Sequence, residues 1–148
     1  MNSATEATDK QKELNIYLTP QESFAAIMLG TVSVDGHMAE EELQSLMTTL
    51  SRTKLFKDKT KASIVATLKK LLRIIKIYGV EALLELALPN LPEYLNETVF
   101  ALATDLALAD GAIFNEELDL LSKISDSLSI PEETVNQITK VMMIKNKG

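Results

Sequence analysis

Apolar residues recur at three- and four-residue intervals along most of the chain. No apolar–polar alternation runs long enough to make a strand. Thr19-Pro20-Gln21-Glu22 is a helix start, with Thr as cap, Pro in the first helical position and Glu in the first turn. It predicts a helix from Pro20 to about Val34 that buries Phe24, Ile27, Met28 and Val32, stopped by Gly36. A second helix follows from about Glu40 to Arg52, with Leu43, Leu46, Met47 and Leu50 on one face. The longest amphipathic segment is Thr60 to Tyr78. Ile64, Val65, Leu68, Leu71, Leu72 and Ile75 form its apolar stripe, and Lys69, Arg73 and Lys76 form the other. Gly79 ends or kinks it, and Val80 to Leu88 makes a short helix stopped by Pro89 and Pro92. Further helices are expected over Glu93 to Ala109, Asn115 to Leu128 and Ser129 to Lys145, the last opened by a Ser129 cap with Glu132 as its partner. Residues Met1 to Glu13 are polar and expected to fray, which leaves 1–18 as a flexible segment before a domain spanning 19–148.

One stretch occurs twice. Asp35-Gly36-His37-Met38-Ala39-Glu40-Glu41-Glu42-Leu43 and Asp110-Gly111-Ala112-Ile113-Phe114-Asn115-Glu116-Glu117-Leu118 share an Asp-Gly, an apolar residue three places after the Asp, a Glu at the seventh and a Leu at the eighth. Each follows an apolar run and opens an acidic amphipathic one, so each is a helix, a tight turn and a helix. The expected fold is all-α: about seven helices in one bundle, two pseudo-symmetric helix–turn–helix halves around a central hairpin-like pair.

Composition narrows the chemistry. With no cysteine and one histidine among 148 residues, thiol catalysis, disulfides and thiolate metal sites are excluded. No Ser-His-Asp set, phosphate loop or zinc-ligand spacing occurs, so the chain is not expected to be an enzyme. Met1 to Lys12 lacks the apolar core of a signal peptide, and the apolar stretches are short and broken by charge. A cytoplasmic location without membrane insertion is the expectation. Net charge is −6 but segregated. Nine basic residues and one acid lie between Arg52 and Lys76, whereas twelve acids and one lysine lie from Ile77 to Val135. Solvated helix faces account for this. Lys69, Arg73 and Lys76 are also candidates for docking a protein partner, while few aromatics interleave the basic stripe and nucleic acid is not expected.

An all-helical chain with two Ala-Asp-Gly-x-apolar-x-x-x-Glu turns resembles the TerB-like family of tellurite-resistance proteins. The second copy carries the match in Ala109, Asp110, Gly111, Ile113, Glu116, Glu117 and Leu118. The first is looser, with Val34 for the alanine and Met38 for the aliphatic residue. The polar residue that often caps the following helix is Ala39 in one copy and Phe114 in the other, where Asn115 takes its place. The likeness extends over Thr19 to Lys145. It implies a helical bundle of bacterial, cytoplasmic origin with a role in tellurite or other stress responses, protein partners that include membrane-associated ones, and a divalent-cation site built from the paired acids.

Those acids are Asp35, Glu42, Asp110 and Glu117. In each unit the Asp ends one helix and the Glu lies three residues into the next, so a reversing chain brings them together. Four carboxylates in one place repel unless protonated or bridged by a cation. An oxygen-only set suits Ca²⁺, Mg²⁺ or Mn²⁺, and His37 adds a nitrogen donor for Zn²⁺ in one copy only. The alternative is a metal-free interaction scaffold in which Glu42 and Glu117 serve as helix-start acids. An EF-hand is excluded: with Asp110 at loop position 5, positions 1 and 3 fall on Leu106 and Leu108, which have no ligand atoms.

Overall fold

The computed structural model describes residues 7–33, 36–109 and 115–148. Its helices are α1 (Asp9–Leu14), α2 (Pro20–Val32), α3 (Glu40–Ser51), α4 (Lys61–Tyr78), α5 (Val80–Ala87), α6 (Asn96–Ala109), α7 (Asn115–Ser127) and α8 (Glu132–Lys145). Short 3-10 turns lie at Lys54–Phe56, Leu88–Asn90 and Glu93–Leu95, and no strand occurs among the described residues. The fold is all-α.

The other helices cover α2. Every residue from Ser23 to Thr31 is buried, and α2 packs most closely against α5 and α6, then against α4 and α7. A helix buried all round belongs at the centre of a domain. Phe24, Ile27 and Met28 point into the core as their spacing requires, while Ala25, Ala26 and Leu29 bury the remaining sides. The start of α2 is the expected one: Thr19 Oγ1 accepts from the Glu22 N–H, and Glu22 Oε1 accepts from the Thr19 N–H at 2.9 Å.

Amphipathic α4 lays Ile64, Leu68, Leu71, Ile74 and Ile75 into the core and leaves Lys69, Arg73 and Lys76 exposed. Gly79, at φ +94°, breaks the chain cleanly between α4 and α5. Three local expectations are corrected. Residues inside the polar N-terminal segment form α1, because Thr8 and Gln11 complete a capping box in which each side chain bonds the other's backbone N–H. The helix expected from Glu93 begins at Asn96, after a 3-10 turn. Ser129 does not cap α8. It sits at φ +56° as the left-handed residue that closes α7, with the Ile130 N–H donating to Ser125 O at 3.0 Å, and α8 starts after Pro131 without a side-chain cap.

One ion pair ties α2 to α4. Glu22, with its side chain 18% exposed, accepts from Lys70 Nζ at 2.7 Å. Burial pushes the Glu22 carboxyl up, but the Lys70 hydrogen bond and charge and the Thr19 N–H outweigh it and hold the group below its ordinary value. A depressed folded-state value gives stability that is present above the unfolded value of about 4.3 and lost as pH falls through the folded one. Lys70→Met is therefore expected to lower the urea midpoint at neutral pH by the equivalent of about 1 kcal/mol or less, given the partial exposure of the pair. The difference between wild type and variant should shrink as pH falls through the folded-state value and Glu22 takes up its proton.

Candidate functional site

The first helix–turn–helix unit runs from the end of α2 through Gly36 into α3. Ser33 is buried, and its Oγ donates to His37 O at 2.8 Å while its own carbonyl accepts from the Gly36 N–H at 3.4 Å, so one serine braces both sides of the turn. Gly36 lies at φ +84° against the last turn of α4. A Cβ there would stand 2.7 Å from Lys76 Cγ and 3.2 Å from Lys76 N. Only glycine takes this conformation in this space without strain. At the start of α3, Ala39 has no side-chain acceptor, so only half of a capping box forms: Glu42 Oε1 accepts from the Ala39 N–H at 3.0 Å. Glu40, Glu41 and Glu42 together place three negative charges in the first turn, where the free N–H groups and the helix dipole favour them.

The second unit runs from α6 into α7. Glu117 lies half-buried in the first turn of α7. Asp35, Asp110, Val34, the Gly111 to Phe114 stretch and the side chain of Asn115 lie outside the described residues.

The two units meet. Val32 from α2, Met38 and Leu46 around α3, and Leu106 and Ala109 from α6 floor a cleft of about 280 Å³. Glu41, Glu42 and Glu117 stand on the same cleft, with Ser45 beside them. The fold thus brings one predicted carboxylate from each repeat to a single place, because the ends of α2 and α6 and the starts of α3 and α7 meet there. Three carboxylates at one mouth attract a cation, at about 1 kcal/mol per charge at 4 Å in water and more as the local dielectric falls. The carboxylates and the Ser45 hydroxyl there offer oxygen, the donor that hard cations take, beside the soft thioether of Met38. Among the described residues, no three acidic or histidine side chains are grouped closely enough to hold a metal ion by themselves. A cation at the cleft therefore needs ligands beyond Glu42 and Glu117.

Sequence reasoning missed Glu41 and the apolar floor. Glu41 repeats as Glu116, six places after the Asp in each copy, but among neighbouring acids at a helix start it does not stand out, and Leu106 and Val32 look like ordinary core positions until α2 and α6 are placed side by side. Asp105 is half-buried on α6. Its side chain is 23% exposed and accepts from Lys145 Nζ at 3.2 Å and Asn146 Nδ2 at 2.8 Å, fastening the end of α8 to α6. α4 presents Lys69, Arg73 and Lys76 to solvent, with exposed Ile77 next to Lys76.

Fold and site together define an all-helical domain built from two helix–turn–helix units that share an acid-rimmed cleft. The family profile of tellurite resistance protein TerB matches residues 21–140, and the chain belongs to the TerB family. No curated protein and no solved structure matches it significantly. None of the described helices is long and apolar enough to cross a membrane.

Proposed function

We propose that this TerB-family chain is a non-enzymatic, cytoplasmic stress-response domain that takes up a divalent cation between its carboxylate pairs and docks protein partners, membrane-associated ones included, through Lys69, Arg73 and Lys76. The observation that carries the reading is the convergence of Glu42 and Glu117, from the two repeats, on one cleft. Asp35 and Asp110 precede them by the same spacing in sequence and supply the further oxygen ligands that a Ca²⁺, Mg²⁺ or Mn²⁺ ion needs. The basic face of α4 supports the partner reading: three exposed cations follow one another at helical spacing, next to an apolar Ile77 that is 69% exposed.

Calorimetric titration of chelator-treated protein with each ion tests the cation. Saturable binding is expected, weakened about tenfold or more in Glu117→Gln and in Asp110→Asn, the scale on which loss of a charged ligand acts. Wild-type protein without saturable heat or thermal shift below millimolar metal rules the cation out. A metal-free scaffold is the second reading, favoured by the bond from the Ala39 N–H to Glu42. It predicts that Glu42→Ala costs about 0.5–2 kcal/mol of stability, as lost caps do, whether or not metal is present.

A further inference from the structure

The C-terminal helix carries the counterpart of the cleft. None of its residues is fully buried. Val135 and Ile138 rest on the core, and Asp105 fixes its last turn against α6. Val141, Met143 and Ile144 are left 55%, 55% and 59% exposed. Lys140, Met143, Ile144 and Lys147 border a shallow groove on this outer face. Residues 139–148 hold three lysines and no acid, a local inversion on a chain of net charge −6. Lys145 is paired with Asp105, so Lys140 and Lys147 flank the apolar residues without that tie.

The cleft between α2, α3 and α6 has the opposite charge and the same apolar character. Its volume of about 280 Å³ falls just under the range of about 300–1,000 Å³ typical of small-molecule pockets and suits a few side chains. We propose that this cleft receives the last turns of α8 from a second copy of the chain, with Met143 and Ile144 entering over Val32, Met38 and Leu106, and Lys140 and Lys147 facing Glu41, Glu42 and Glu117. Charge complementarity supports this occupant: an exposed apolar patch flanked by lysines meets an apolar cleft whose charged lining is glutamate. The buried area is small, so the association is weak and reversible. It shares Glu42 and Glu117 with the cation reading but does not require the ion, because Glu41 and the α8 residues lie outside the proposed ligand set.

Sedimentation velocity of the full chain, with chelator present, tests this from micromolar to about millimolar protein. The expected result is a weight-average sedimentation coefficient that rises with concentration and falls back with added salt. Met143→Asp is expected to abolish the rise, while Glu41→Lys and Lys140→Glu each weaken self-association about tenfold or more. An equimolar mixture of Glu41→Lys and Lys140→Glu chains should recover it, because each reversed cleft then meets a reversed helix. All three positions are exposed, and circular dichroism checks that each variant keeps its helix content. Cation titration of Met143→Asp, expected to match wild type, separates this proposal from the cation reading. Wild-type protein that stays monomeric over the whole range overturns the proposal. So does association that Met143→Asp and Glu41→Lys leave unchanged, or a charge-swapped mixture that fails to recover.

Discussion

Phe24→Ala is expected to destabilise the protein by about 3–5 kcal/mol, as truncation of a buried aromatic does. Phe24 is 1% exposed in the first turns of α2, and its ring meets Phe56 at a centroid distance of 6.5 Å and a tilt of 53°. Phe56, itself 3% exposed, belongs to the 3-10 turn between α3 and α4. The pair is thus where the central helix holds the connector of two helices that cover it. Truncation removes the transfer energy of the ring and leaves a cavity that the rigid start of α2, capped by Thr19 and Glu22, cannot close by moving. A domain has only about 5–15 kcal/mol in total, so the variant should lose roughly 6–20 °C in melting temperature. Urea denaturation with an unchanged slope is the measurement. Phe56→Ala should be less than additive with it, since both remove the same contact. A control at Tyr94, 78% exposed, should stay within about 0.5 kcal/mol of wild type. A loss under about 1 kcal/mol for Phe24→Ala would mean that the α2–α4 core repacks around the gap.

The helices whose ends are written in side-chain chemistry were legible in the sequence. Thr19-Pro20 and Thr60 start α2 and α4 where the cap rules put them, and the buried sets Leu43, Leu46, Met47, Leu50 and Ile64, Leu68, Leu71, Ile75 follow the 3.6-residue period. Where the sequence reading departs from the structure, two local signals competed. Ser129 could cap α8 or close α7. The carbonyl of Ser125 left open at the end of α7 decided the matter, since the Ile130 N–H satisfies it only with Ser129 left-handed. In α1 a polar stretch orders because Thr8 and Gln11 satisfy each other's backbone N–H groups, a pairing that composition alone hides. At the site, the repeat pointed to Glu42 and Glu117 separately, and their approach to one cleft depends on α2 packing against α6. That packing is a tertiary fact. Periodicity reports which face of a helix is apolar and is silent on which neighbour covers it.

The same limit applies to Gly36, whose sequence role is a helix stop and whose structural role is larger. Gly36→Ala is expected to cost about 2–3 kcal/mol. About 1–2 kcal/mol of this comes from placing a side chain in the left-handed region. The rest comes from crowding: the new Cβ would meet Lys76 Cγ at 2.7 Å, Lys76 N at 3.2 Å and Ile75 Cγ2 at 3.3 Å. The Lys76 side chain can swing aside, but its backbone nitrogen lies within α4 and cannot move without disturbing that helix. The two contributions separate by substitution. Gly36→Asn keeps the Cβ but tolerates positive φ, so it should recover part of the loss, and what it recovers measures the conformational share. Lys76→Ala in the Gly36→Ala background removes the Cγ contact alone and should recover only the flexible part of the crowding, read as a coupling energy in a double-mutant cycle. If Gly36→Asn is as unstable as Gly36→Ala, crowding dominates and the turn is held by α4 rather than by its own conformation. In that case the exposed basic face of α4 and the turn that leads to Glu42 are two sides of one rigid contact at Lys76.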